Sequence, residues 1–475
     1  MTRAVTGTLL WFLLLLHAPP SSANETGSWV NVAENTVLAG TDIRAIGQVR
    51  FPDGLSALWI STPSAIWRKT GGNWQRWPEN EDITGEVRDI LLAPDASGIT
   101  HWWLATGDGL LKSPDGQEWQ RLNAANSPLT DDDIQALHLT QGHDGNAVIW
   151  IGTGQGLMQL QNDEWRVIAA RSDGFHGGQI DRLLGIEADA GHQVWAAGRE
   201  GLSVHANGQW QRPDRTCLHR QRAYDIRHLT HPMGNRIGVA TDRGLLLIDP
   251  ANLEDCRLLD SPHAADQPVT ALSGNMDHGI ILLRPGGIER LQFGRSLEVS
   301  RWAWSDQHDG LPASAQWVSG QPTIGLDEAP VASRQGLWAW KGRPAERNDI
   351  ELALSIEETG EVIADGEAIR VRDSAVRFSA QVRGMARPHA ALYRHSVDSG
   401  ENWTAWQRTP VFEVPLPEFG RNTVQVEMVD DLGERRGPWQ FHLERTFPIG
   451  TISAIVLVTL TLIMIALIIQ VRRKN

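Results

Sequence analysis

The residues best suited to chemistry in this chain sit where loops interrupt a repeat. Tyr224, in Arg222-Ala223-Tyr224-Asp225, is one of only two tyrosines. A sialidase-type hydrolysis would need a tyrosine nucleophile, an acidic partner and a cluster of arginines, and this string holds one of each type. Arg220 precedes it, and His176 with Arg171 forms a second loop cluster. A third runs Arg301-Trp302-Ala303-Trp304-Ser305-Asp306-Gln307-His308. Its alternating tryptophans beside polar donors could face a sugar, because flat aromatic rings suit apolar ring faces and polar groups fix orientation. They read equally as an outer strand packing on its neighbour, the reading preferred here. The candidate ligand-binding set is therefore Trp302, Trp304, His308, Arg222, Tyr224 and His176.

No catalytic set is expected beside it. Glycosidases require two placed carboxylates, and no acid of this chain is singled out by the repeat. The sixteen histidines are scattered, and His219, His228, His231, His263 and His278 lack a helical His-Glu-x-x-His pairing. Neither a metal nor a cofactor is called for, and the chain reads as a non-enzyme. A formal charge of −14 argues against nucleic acid, which attracts clustered Lys and Arg. The two cysteines, Cys217 and Cys256, have no zinc or iron–sulfur spacing. They pair as a disulfide in an oxidising compartment or lie apart as two buried thiols.

The elements that must position these residues recur. Glycine precedes a short apolar strand at Gly109, Gly156, Gly201, Gly244, Gly287 and Gly336, and Ala65 holds the same place in an earlier copy. Seven copies at about 45 residues predict a seven-bladed β-propeller with four strands per blade. The second copy shows the order: Glu86–Leu92, Trp102–Thr106, the turn Gly107-Asp108-Gly109, Leu110–Ser113, then Glu118–Leu122. The seventh copy lacks an outer strand, and Gly27–Val32 is expected to supply it. Most repeated tryptophans, among them Trp59, Trp103, Trp150 and Trp195, read as packing residues. Residues 346–446 alternate like an immunoglobulin-like β-sandwich.

Both ends concern membranes. Residues 1–23 read as a signal peptide, with Arg3, an apolar Leu9–Leu16 and small residues before Asn24. Residues 447–471 carry no charge from Ile449 to Ile469 and predict a transmembrane helix, with 472–475 as a basic cytoplasmic tail. The expected fold class is thus all-β: a seven-bladed β-propeller over 24–345, an immunoglobulin-like β-sandwich and one C-terminal transmembrane helix. The expected location is the bacterial inner membrane, single-pass, with the body in the periplasm.

The string Trp150-Ile151-Gly152-Thr153 followed by Gly156-Leu157 resembles the two-component regulator propeller repeat, and Asp309-Gly310-Leu311-Pro312 is similar to that family's linker between blades. Leu392-Tyr393-Arg394-His395, Asn402–Trp406 and Asn422–Val426 resemble the three-Y domain that follows such propellers, although Val424 stands where an aromatic is expected. Ser396–Trp403 is similar to the Asp-box turns of sialidase propellers, which form turns and not catalytic sites. The resemblance implies a membrane-anchored periplasmic sensor that binds an extracytoplasmic ligand, a glycan fragment or other small molecule. It implies a homodimer signalling across the inner membrane to a separate or missing output domain, since only Arg472-Arg473-Lys474-Asn475 follow Val471. The alternative is an envelope structural or assembly protein that uses the propeller as a protein-docking platform.

Overall fold

The computed structural model describes residues 28–446 and 458–465, with short exceptions of which the longer are 52–55, 78–82, 169–174, 214–220, 321–329, 342–349 and 386–389. The chain is nearly all-β. Six consecutive antiparallel meanders of four strands begin with Ala45–Arg50, Val87–Pro94, Ile134–Gln141, Ile180–Ala188, Ala223–Leu229 and Ala271–Asn275. A seventh sheet has three strands, in which Ser28–Asn31 pairs antiparallel with Gly336–Lys341, and that strand pairs with Val331–Ser333.

Alternation and turn chemistry explain why these segments are strands. In Glu351–Ile356, for example, Leu352, Leu354 and Ile356 are buried while the residues between them are not. The hairpin that follows Thr100–Thr106 turns at Gly109, whose φ is 115°. A side chain there would adopt a disfavoured backbone conformation, and its Cβ would run into the Leu122 carbonyl.

Packing then sets the sheets beside one another. Each consecutive pair shares an apolar cluster: Trp59 and Ile66 with Ile90 and Leu104, Trp103 with Ile149 and Ile151, Trp150 with Phe175 and Val194, Trp195 with Val239, and Leu247 with Leu272. Trp29 joins the sixth sheet to the seventh, and Ile46 and Ile60 pack with Ala332 and Leu337 of the seventh. The first strands of sheets one to six lie successively against one another, so residues near their starts converge.

Two further four-stranded sheets follow. One runs in the order Val362–Ile363, Glu351–Ile356, Ala375–Arg383, Val411–Pro415, and the other Ala368–Val371, Arg435–Arg445, Gly420–Val429, Leu392–Ser396. They bury one core that includes Phe378, Tyr393, Val424 and Phe441. Val424 is fully buried there, so this small β-branched residue fills the place where the family pattern expects an aromatic.

Several expectations are corrected. Among the described residues the strands are distributed over nine separate open sheets, none closing on itself as a barrel, which corrects the fold class expected as a seven-bladed β-propeller with sandwich and membrane helix. Among the described residues no helix is long and apolar enough to cross a membrane. Residues 458–465 are helical. The transmembrane span, the single-pass inner-membrane location and the membrane-anchored signalling module are corrected on that ground; the rest of 447–471 lies outside the described residues. Cys256 is disulfide-bonded, and Cys217, the other cysteine, lies outside the described residues.

Candidate functional site

The converging first strands build a polar cleft. Five of them enter in a common register: Ala45 pairs with Ser61, Asp89 with Ala105, Ala136 with Gly152, Arg182 with Ala197 and Asp225 with Ala240. In the sixth, Ala271 pairs with Leu283. The residue just before each of these positions is Arg44, Arg88, Gln135, Asp181, Tyr224 or Thr270, and all six line a single cleft of about 330 Å³. Glu86, Gln179, Arg182, Arg222 and Trp317 complete most of the wall. Four of the six strands carry a register shift at this point, in sheets two to five. Such a bulge re-aims side chains at the end of a strand.

The charges of the wall are interlocked. Arg44 pairs with Asp42 and lies 3.7 Å from Glu86. Arg88 pairs with Asp133 and donates to the Ile134 carbonyl at 3.2 Å. Gln135 also donates to Asp133, at 2.8 Å. Arg222 donates through Nη2 to Asp181 at 3.1 Å, and Gln179 donates to the other oxygen of Asp181 at 2.6 Å. The Arg222 guanidinium lies over the Tyr224 ring at 4.8 Å. Trp317 is fixed by its indole N–H, which donates to the Arg284 carbonyl at 2.7 Å.

Beneath the wall, two aspartates tie neighbouring sheets together. Asp225 accepts from the Ile226 amide at 3.0 Å and from the Leu272 amide of the next sheet at 2.9 Å. Asp89 repeats the arrangement with Ile90 and Leu137, both at 2.9 Å. Arg182 Nε is 3.9 Å from Asp225. Burial pushes the Asp89 carboxyl up, and the Arg182 charge and the two amide hydrogen bonds oppose that shift. Burial likewise disfavours the charge of Arg227, which Asp225 restores in part.

The residues expected from sequence are placed differently from one another. Arg222 and Tyr224 both line the cleft. Trp302 and Trp304 lie on the strand Val299–Ser305, where Trp302 pairs through its backbone with Leu291. Trp304 is buried, and its indole N–H donates to Asp306 at 3.1 Å. The Arg408 guanidinium covers that ring at 4.2 Å and approaches Asp306 at 3.7 Å, which joins the C-terminal sheets to the sixth sheet. His308 is exposed on a short turn with Nδ1 2.9 Å from Asp306. Burial pushes the Asp306 carboxyl up, but hydrogen bonds from His308 and Trp304 outweigh it and hold the carboxyl below its usual range. Neither Trp304 nor His308 lines the cleft. His176, Arg171 and Arg220 lie outside the described residues.

Sequence reasoning missed Arg44, Arg88, Gln135, Gln179, Asp181, Arg182, Thr270 and Trp317. The signal was present for most of them: one place per repeat, just before the inner-strand position, is polar or carries a hydroxyl in six copies.

An arginine cluster, a tyrosine and acids therefore do meet in one cleft, yet among the described residues no carboxylate hydrogen-bonds the Tyr224 hydroxyl. Among the described residues no group of His, Cys, Asp and Glu could hold a metal ion. A larger cleft of about 400 Å³, lined in part by Asp95, Ser97, Trp103, Asn146 and Asp163, lies between turns of the second and third sheets. Asp95 is already used there in closing its own turn, accepting from the Ser97 and Ile99 amides at 2.9 and 3.1 Å.

No known protein family matches the chain, and no curated protein matches it. Among solved structures it is similar to the extracellular domain of BT3049 from B. thetaiotaomicron, assigned to a hybrid two component system. The identity is 15% and the TM-score 0.48, over 84% of this chain and 50% of that one. It is also similar to the extracellular domain of BT4673 from the same organism, at 11% identity and a TM-score of 0.46, over 89% of this chain and 60% of that one. YCF48 bound to D1 peptide matches at 14% identity and a TM-score of 0.44, over 68% of this chain and 97% of that one. The chain spans about half to three fifths of the length of the first two. The likeness singles out no subfamily. At this level it concerns the fold and says nothing of a ligand.

Proposed function

We propose that this chain is an extracytoplasmic recognition module that binds a small polar ligand in the cleft at the start of the first strands and leaves it chemically unchanged. The observation that carries the reading is the convergence of Arg44, Arg88, Gln135, Asp181, Tyr224 and Thr270, one from each of six sheets, on one opening. A volume of about 330 Å³ falls in the range that encloses small ligands. The disulfide at Cys256 suits an oxidising compartment.

The test is a thermal-shift screen of small polar metabolites, charged and neutral, against the wild-type chain and the double variant R88Q/R222Q. Ligands that stabilise the wild type should lose their effect in the variant. Ligands that stabilise both proteins equally bind elsewhere and would refute the assignment, as would a screen in which nothing binds.

A further inference from the structure

Resting on that reading of the cleft, we infer that the bound group is an oxyanion, a carboxylate or a tetrahedral phosphate or sulfate, and not a neutral polyol. Four guanidinium groups line the cleft, those of Arg44, Arg88, Arg182 and Arg222, against two carboxylates, Glu86 and Asp181. Among the lining residues guanidiniums outnumber carboxylates in a chain whose formal charge is −14, while Asp42, Asp133 and Asp225 pair with Arg44, Arg88 and Arg182 from outside the lining. The make-up of the lining therefore does not follow from overall composition.

The hydrogen-bond inventory points the same way. Asp181 already accepts from Arg222 and from Gln179, one on each oxygen, and Asp133 behind the wall accepts from Arg88 and Gln135. Glu86 faces Arg44. The acceptors are thus largely occupied, and the amide donors of Gln135 and Gln179 are used on them. Donors remain: an arginine has five N–H groups, Arg222 uses Nη2 on Asp181, and among the described residues the buried Nε groups of Arg222 and Arg44 have no partner. A ligand entering this cleft must bring acceptors. A neutral polyol brings hydroxyl donors for which this wall has few free acceptors, whereas an oxyanion brings chiefly acceptors, in the geometry that a guanidinium fork matches. The Tyr224 hydroxyl and the Trp317 ring flank the same space.

Isothermal titration of the full chain at fixed ionic strength tests this with five probes: malonate, inorganic sulfate, inorganic phosphate, uncharged malonamide and, as a neutral polyol, erythritol. At least one anion should bind and malonamide should not, and malonate against sulfate and phosphate separates planar from tetrahedral oxyanions. R222Q should weaken anion binding at least tenfold. D181N, which removes the competing carboxylate from Arg222, should strengthen it several-fold, and this gain cannot arise from a variant that merely fails to fold. Equal binding of malonamide, or weaker anion binding by D181N, overturns the inference. If erythritol binds and R88Q/R222Q abolishes it, the cleft stands as a site and the oxyanion assignment falls. If no probe binds, the oxyanion assignment falls too, and the broader screen decides whether the cleft is a ligand site.

Discussion

His138 offers a quantitative check on how the sheets pack. It lies on Ile134–Gln141 opposite Trp150, at the position filled by Leu91 opposite Trp103 and by Leu184 opposite Trp195. Its ring lies against the fourth sheet so closely that a Cβ on Gly185 would run into Nε2. Burial, with a smaller contribution from the charge of His192, pulls the imidazole from 6.5 down to about 4. A folded-state value below the unfolded one means that the unfolded chain binds more protons between those limits. The stability from the neutral ring is complete above about pH 6.5 and is lost as pH falls toward 4. At about 1.4 kcal/mol per pKa unit, the loss reaches about 2.5 kcal/mol at pH 4.5. The ring keeps part of its surface, so about 2 kcal/mol is the expected figure. H138L places the residue of the neighbouring sheets at this site and removes the titration. Guanidinium unfolding followed by tryptophan fluorescence at pH 7.5 and 4.5 measures the effect. The variant should gain about 2 kcal/mol relative to wild type between those pH values. A wild-type-minus-variant difference that stays constant within about 0.5 kcal/mol would refute the buried, neutral imidazole.

Two further predictions concern the cleft floor and the join to the C-terminal sheets. D225N places an amide N–H or a weaker acceptor against the Leu272 and Ile226 amides and leaves Arg182 and Arg227 less compensated. Breaking a buried, hydrogen-bonded charge costs about 3–5 kcal/mol, so its denaturation midpoint should drop sharply, and a loss below about 1 kcal/mol would show that Asp225 does not tie the fifth sheet to the sixth. R408A removes the cation over Trp304 and a partner of Asp306; the expected cost is about 1–2 kcal/mol, with a change in tryptophan emission, and an unchanged spectrum and melting midpoint would contradict the contact.

Much of the local structure was legible in the residues themselves. Alternating burial in Glu351–Ile356 and the left-handed turn at Gly109 follow from side-chain period and from steric limits on φ, both of which act over a few residues. Arg222 and Tyr224 were legible as a polar loop cluster, although nothing in their spacing placed Asp181 or Arg88 beside them. Asp181 lies 41 residues from Arg222 in sequence. The fold class as first read failed because a repeat period reports that strands recur and not how the sheets are closed. The membrane span expected over 447–471 was overturned because, among the described residues, no helix is long and apolar enough to cross a membrane.

The sequence by itself determined strand identity, turn position and the polar character of one place in each repeat. Only the tertiary structure decided that those six places face one opening. Convergence depends on how separate sheets pack through Trp103, Trp150 and Trp195 and on the inter-sheet hydrogen bonds of Asp89 and Asp225. Those contacts join residues more than forty positions apart, beyond the reach of any local periodicity, and they turn scattered arginines into an arginine-lined cleft on an acidic chain.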